Sequence, residues 1–280
     1  MSDPTPYTTT RTLERGIERI TYTPHERRYE TPILMQHGMW HGAWCWQGWQ
    51  ALFAAWGWQT ISISLPGHGG SPIQRPVRWC TLDYYLRFFR AEIEQTQPAP
   101  VVMGHSMGGA LIQWYLKHVG DNLPAYVMVA PWVAHSTFAD GLSLFLKLDV
   151  PGVILCFLTL DATPYIRTPE RAARLLNGGA SILSPQELHE QLGPESALVM
   201  IQHNPPFWQP VEHGAVQSPM LWLAGERDAV VSVEGLRRAA SYYGKDFVVI
   251  PGAAHNLMHQ HNQAETAQTI HDWLVAQGIG

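Results

Sequence analysis

Apolar residues in this chain gather into short runs at 33–36, 60–65, 100–104, 125–130, 220–224 and 247–250, each closed within two residues by Gly or Pro. Runs of this length, rich in Val, Ile and Leu, read as strands buried on both faces. Between them, 44–56, 81–96, 107–119, 233–243 and 264–277 carry apolar residues at helical spacing. Strand and helix therefore alternate, which predicts the α/β class: a mostly parallel central sheet flanked by helices. The alternation stops over 133–213, which reads as helices and loops, including 169–177 and 185–191, each opened by Pro. We expect a core of 1–132 plus 214–280 and a helical cap inserted at 133–213. The polar first ten or so residues are expected to be poorly ordered.

Composition narrows the class of partner. Of the 280 residues, 46% are hydrophobic, enough for one large buried core. The formal charge of −5 offers no basic excess, so nucleic acid is not an expected partner. Cys45, Cys80 and Cys156 are widely spaced with no CxxC pair, which suggests neither a disulfide framework nor a thiolate metal site and fits a reducing cytoplasm. No apolar segment follows a basic start in the first thirty residues, so no secretory signal is expected. The most apolar stretch, 141–160, is interrupted by Lys147, Asp149 and Pro151-Gly152, and integral membrane association is not expected. Its Leu, Phe and Val side chains either receive an apolar part of a substrate or fasten the cap to the sheet.

Candidate chemistry centres on Gly104-His105-Ser106-Met107-Gly108, a G-x-S-x-G motif between a predicted strand and a predicted helix. That context is what the motif requires, because a turn this sharp strains its central residue and leaves room only for small residues two positions away. Ser106 is then the candidate nucleophile, with the Met107 amide at the helix start facing any oxyanion formed there. A serine hydroxyl needs an imidazole to take its proton and a carboxylate to orient that imidazole. After the strand at 220–224 comes a turn holding Glu226 and Asp228, either of which can serve as the acid. After the strand at 247–250 comes a Gly-containing loop holding His255, the candidate base. His259 and His261 read as surface positions, and His105 as a filler position of the turn. The pairs His37/His41 and His255/His259 have the spacing of zinc ligands, but no H-E-x-x-H pattern or Cys cluster supports them, so no metal and no cofactor are expected.

His37-Gly38, LPGHGGSP at 65–72, GHSMGG, GERD and GAAH occur in the order found in α/β-hydrolases, and together they span 33–277. The chain resembles that superfamily, and its HGMWHGAWCW stretch resembles the methylesterase and hydroxynitrile lyase group and related bacterial esterases. The resemblance implies Asp228 as the acid, Met39 as the second oxyanion amide beside Met107, and a carboxylic ester with an apolar or aromatic group as substrate. It also points to His37 and Gly38 as residues near the substrate, and Trp40 and Trp132, close to the predicted catalytic face, are candidates to line the pocket. Hydroxynitrile lyases of that group carry Lys directly after the catalytic His, where this chain has Asn256. A lyase or other C–C bond enzyme, an acyltransferase and a non-enzymatic binding protein are the competing readings.

Overall fold

The computed structural model of the chain describes residues 5–179 and 181–280. It opens with β1 (Tyr7–Glu14) and β2 (Ile17–Pro24), an antiparallel hairpin turned by Arg15 and Gly16 at φ +52 and +75. Two successive left-handed residues give the tight turn whose twist matches paired strands. The hairpin corrects the expectation of a poorly ordered start from Tyr7 onward; residues 1–4 lie outside the described residues. Seven of the eight β1 residues are exposed, so hydrophobic periodicity had no signal to offer there.

Beyond the hairpin the order is β3 (Tyr29–Gln36), α1 (Gln47–Ala55), β4 (Trp58–Ser64), α2 (Leu82–Gln95), β5 (Val101–His105), α3 (Met107–His118) and β6 (Tyr126–Val129). Among the described residues, five α-helices then intervene: α4 (Thr137–Leu148), α5 (Val150–Thr159), α6 (Pro169–Leu176), α7 (Pro185–Gln191) and α8 (Ala197–Gln202). The chain closes with β7 (Met220–Gly225), α9 (Val233–Tyr243), β8 (Asp246–Ile250) and α10 (Gln263–Ala276). Side-chain caps explain where several helices begin. Thr168 accepts from the Arg171 amide ahead of α6, and Ser184 and Glu187 form a reciprocal capping box at α7.

The strands pair in the order β1-β2-β4-β3-β5-β6-β7-β8, antiparallel on either side of β2 and parallel from β4 onward. Alternate strand residues face opposite layers. Leu34, Val102, Met128 and Trp222 pack with Tyr85, Phe89, Leu111 and Leu236 of α2, α3 and α9. Ile33, Met103, Val127 and Leu223 pack with Trp49, Phe53, Ile270 and Leu274 of α1 and α10. Because Gln36 pairs with Gly104, His105 with Val129 and Gly225 with Ile250, the carboxyl ends of these strands share one rim. Ligands of open α/β sheets bind outside that rim.

Candidate active site

Between the end of β5 and the start of α3, Ser106 alone turns the chain, at φ +51 and ψ −114. A non-glycine residue in such a conformation costs on the order of 1–3 kcal/mol and persists only where its surroundings over-determine it. Here the Ser106 amide donates to the Val129 carbonyl at 3.0 Å, and its carbonyl accepts from the amides of Gly109, Ala110 and Trp132. A Cβ at Gly104 would lie 2.5 Å from the carbonyl carbon of Gly108, and one at Gly108 would lie 2.3 Å from the Gln36 oxygen. Neither position has room for a side chain, which is what lets strand, turn and helix close so tightly.

Across the rim, the turn after β7 and the loop after β8 bring Asp228 to His255. Asp228 Oδ1 accepts from the amides of Val230 and Val231 at 2.7 and 3.0 Å, and its Oδ2 lies 2.8 Å from His255 Nδ1. Both side chains are buried. A carboxylate only accepts, so the network assigns the proton to Nδ1 and leaves a lone pair on Nε2. His105 is no filler: its Nε2 donates to the His255 carbonyl at 3.2 Å, and the two rings lie 4.8 Å apart. Ser106 Oγ makes no hydrogen bond among the described residues. Contacts of that kind are often long without substrate and tighten in its complex.

The amides of Met39 and Met107 donate to no carbonyl among the described residues. Around Met39 the backbone is held by two imidazoles. His37 receives the Leu65 amide on Nε2 at 3.0 Å and donates from Nδ1 to the Gly38 carbonyl at 2.7 Å. His41 donates from Nδ1 to the Met39 carbonyl at 2.7 Å. Burial pushes the His37 pKa well below its ordinary value, and burial followed by the nearby His259 lowers His41 to about 3, so both rings are neutral at physiological pH. Gly38 packs against the serine turn, where a Cβ would lie 2.8 Å from Ser106 Cβ.

Ser106, Met39, Trp40 and Trp132 line a pocket of about 620 Å³ of empty space, part of it open to solvent. Val230 and Val231 from the Asp228 turn join them, together with Thr137, Phe138, Phe157, Tyr165 and Met200 from the segment between β6 and β7. The one carboxylate among the described lining residues, Asp140, is engaged by the Ser232 amide and hydroxyl and by Arg238. The described wall is otherwise uncharged and largely apolar, with five aromatic side chains. His37 and Gly38 support the backbone behind Met39 and are absent from the described wall.

The structure brings the expected Asp228 and His255 side chains together, whereas most of this wall lay outside the sequence expectations. Val230 and Val231 were discoverable from their place just after Asp228, whereas Phe138, Tyr165 and Met200 sit in no motif. Within 141–160, Phe157 lines the pocket, and Val153 and Cys156 pack into the core. The side chains at 142–145 and 147–148 lie outside the described residues. Glu226 is exposed and accepts from the Gly252 amide at 2.7 Å, away from His255. His261 is exposed on a turn, but the surface expectation for His259 is corrected. His259 is buried in a short 3-10 helix beside Trp44, its Nε2 donates to the Cys45 carbonyl, and burial lowers its pKa to about 4. The ring nitrogens of the His37/His41 pair serve backbone and Asn256 instead of facing one another.

A mostly parallel α/β sheet with a strained serine at a strand-to-helix turn, and an acid–imidazole pair on the neighbouring loops, defines a class of protein. The chain belongs to the alpha/beta hydrolase family, which it matches over residues 33–269. It is 27% identical over 239 residues to a monoacylglycerol lipase of Mycolicibacterium smegmatis, an alignment covering 80% of each chain. Over 100 residues, 35% of this chain and 38% of the other, it is 30% identical to a pFDCC methylesterase of Arabidopsis thaliana. Among solved structures, a Paleococcus ferrophilus monoacylglycerol lipase superposes with a TM-score of 0.67 at 20% identity, covering 93% of this chain and 99% of that one. A Thermogutta terrifontis esterase superposes with a TM-score of 0.68 at 17% identity, covering 96% and 99%. These two likenesses establish the fold.

Proposed function

We propose that this protein is a serine hydrolase that cleaves a carboxylic ester with an apolar or aromatic group through an acyl-enzyme on Ser106, His255 and Asp228. The observation that carries the reading is the Asp228–His255 hydrogen bond at 2.8 Å on the same rim as a serine held at φ +51. His255 Nε2 takes the Ser106 proton as Oγ attacks the ester carbonyl, and the Met39 and Met107 amides receive the oxyanion. Asp228 stays ionised and holds the imidazole. His255 then protonates the leaving alcohol, and water enters to release the acid by the same steps in reverse roles.

Residues 133–213 act in this reading as a cap over the core of 1–132 and 214–280, supplying the apolar half of the pocket. No helix among the described residues is long and apolar enough to cross a membrane. Three buried free thiols fit a cytoplasmic protein. Asn256 favours a hydrolase over a hydroxynitrile lyase: it replaces the lyases' Lys, and its side chain is buried against His41 and Asn177.

A panel of p-nitrophenyl esters of increasing chain length tests the proposal. Hydrolysis should favour longer or aromatic acyl groups, and Ser106→Ala should lower kcat on the order of a thousandfold or more with the fold intact. An unchanged rate in Ser106→Ala removes the serine mechanism, and the absence of any chain-length preference removes the apolar pocket.

A further inference from the structure

Behind the site, a buried chain of neutral hydrogen bonds joins the Met39 loop, the His255 loop and the inserted helices. Asn256 Nδ2 donates to His41 Nε2 at 3.1 Å and to Asn177 Oδ1 at 3.0 Å. The Asn256 amide donates to the Leu176 carbonyl at 2.9 Å, at the end of α6. Asn177 Nδ2 donates in turn to Ser181 Oγ at 2.8 Å. Gln260 Nε2 donates to the Asn177 carbonyl, and its Oε1 accepts from the amide of Ala254, the residue before His255. His41, Asn177, Asn256 and Gln260 are all buried.

Each orientation in this chain is fixed by its neighbours. His41 has one proton to give, and the Met39 carbonyl at 2.7 Å takes it on Nδ1, so Nε2 can only accept. Asn256 must therefore present its NH2 group to His41. That group also serves Asn177, and a flipped amide would set its oxygen against a lone pair on each side. The Asn256 oxygen is buried and accepts from no protein donor among the described residues. His41 stays uncharged because burial holds its pKa near 3, so the chain keeps one arrangement across the physiological range. The titratable rings around it are Trp44-stacked His259 and His105, both lowered by burial, together with His255 and His68.

We propose that His41 and Asn256 are positioning residues for the ester reaction, fixing the Met39 oxyanion amide relative to the His255 loop and tying both to the seating of α6. The inference rests on the serine-hydrolase reading above. It assigns to Asn256, the residue after the base, an indirect role in catalysis through His41.

Two variants dissect the chain. Asn256→Leu keeps the number and branching of side-chain heavy atoms and removes the donor. In His41→Asn, the amide NH2 takes the place of Nδ1–H toward the Met39 carbonyl, while the acceptor for Asn256 is lost. Each should lower kcat on a p-nitrophenyl ester about 10- to 100-fold with KM within about twofold, because the oxyanion contact strengthens only in the transition state. The double variant should be no slower than the slower single, since both cut one chain.

The distinguishing readout is the ratio of kcat/KM for a matched ester and thionoester, which reports how strictly the site holds a carbonyl oxygen. It should fall toward one in both variants. A folded Asn256→Leu protein with an unchanged ratio, or with a kcat within threefold of the wild type, overturns the proposal, as does strict additivity in the double variant. If His41→Asn fails to fold, the Asn256→Leu ratio decides alone. Failure of the underlying reading looks different: the wild type itself would show no serine-dependent hydrolysis.

Discussion

The loops at the rim of the sheet and the helices inserted between β6 and β7 meet across one pocket, yet they are built by opposite rules. In the rim loops nearly every atom is specified. Gly108 has no space for a Cβ, Ser106 is held at a backbone angle few residues adopt, and Asp228 spends one oxygen on two amides and the other on His255. On the inserted side Phe138, Phe157 and Met200 bring apolar bulk to the wall, beside Tyr165, Thr137 and an Asp140 held by Ser232 and Arg238. Reaction chemistry needs positions fixed to fractions of an ångström, whereas an apolar pocket needs volume and dryness. Under the proposed function, the contrast assigns the reaction to the rim and the choice of substrate to the insertion.

The largest effect should come from the rim. Asp228→Asn is expected to lower kcat on the order of 10⁴-fold, because an amide allows the wrong imidazole tautomer. Glu226→Gln, two residues away and exposed, should stay within about twofold. Steady-state kinetics of the pair decide which carboxylate is the acid, and a large loss in Glu226→Gln would reverse the assignment.

Steric demand separates the regions next. Gly108→Ala puts a methyl group 2.3 Å from the Gln36 oxygen and should cost about 3 kcal/mol in urea denaturation. Gly179→Ala, after α6, meets nothing within 4 Å and should be nearly neutral. Equal costs would mean that the rim is no tighter than the insertion.

Acid should also act on both regions through buried histidines. His41 and His259 at the rim and His203 in the insertion have folded-state pKa values of about 3, 4 and 4, below the ordinary 6.5. Burial is the leading cause in each case, and the unfolded chain therefore binds more protons between pH 6.5 and about 4. Stability is fully present above pH 6.5 and drains as the pH falls, by on the order of 2 kcal/mol per histidine at pH 5. The urea midpoint should drop clearly between pH 7.5 and pH 5; a flat midpoint would contradict the burial of these rings.

A smaller effect should mark the inserted wall. Phe157→Ala is expected to lower kcat/KM about tenfold for long or aromatic acyl esters and to leave acetate esters within about twofold. An equal loss on every ester would place Phe157 in the support of the reaction instead of the choice of substrate.

The same contrast explains what could be read from the sequence. Ser106 stood out as a candidate because Gly104 and Gly108 flank it where sterics leave no room for a side chain, and Asp228 and His255 because each follows a strand within five residues. The parallel strands announced themselves by being apolar on both faces. The β1 strand was invisible because an exposed edge carries no apolar pattern, although Arg15-Gly16 between two Thr-rich stretches was a hairpin signal in plain view. Phe138, Tyr165 and Met200 were invisible because their role depends on how helices pack, which no spacing encodes. The burial of His259 was equally hidden, since it follows from the docking of Trp44 more than two hundred residues earlier.

Labelling with a fluorophosphonate, followed by mass spectrometry of the modified peptide, addresses the central claim most directly. An activated serine hydroxyl should be phosphonylated once, at Ser106, with labelling abolished in Ser106→Ala and strongly slowed in His255→Ala. No reaction, or a label at another residue that survives Ser106→Ala, would contradict the account.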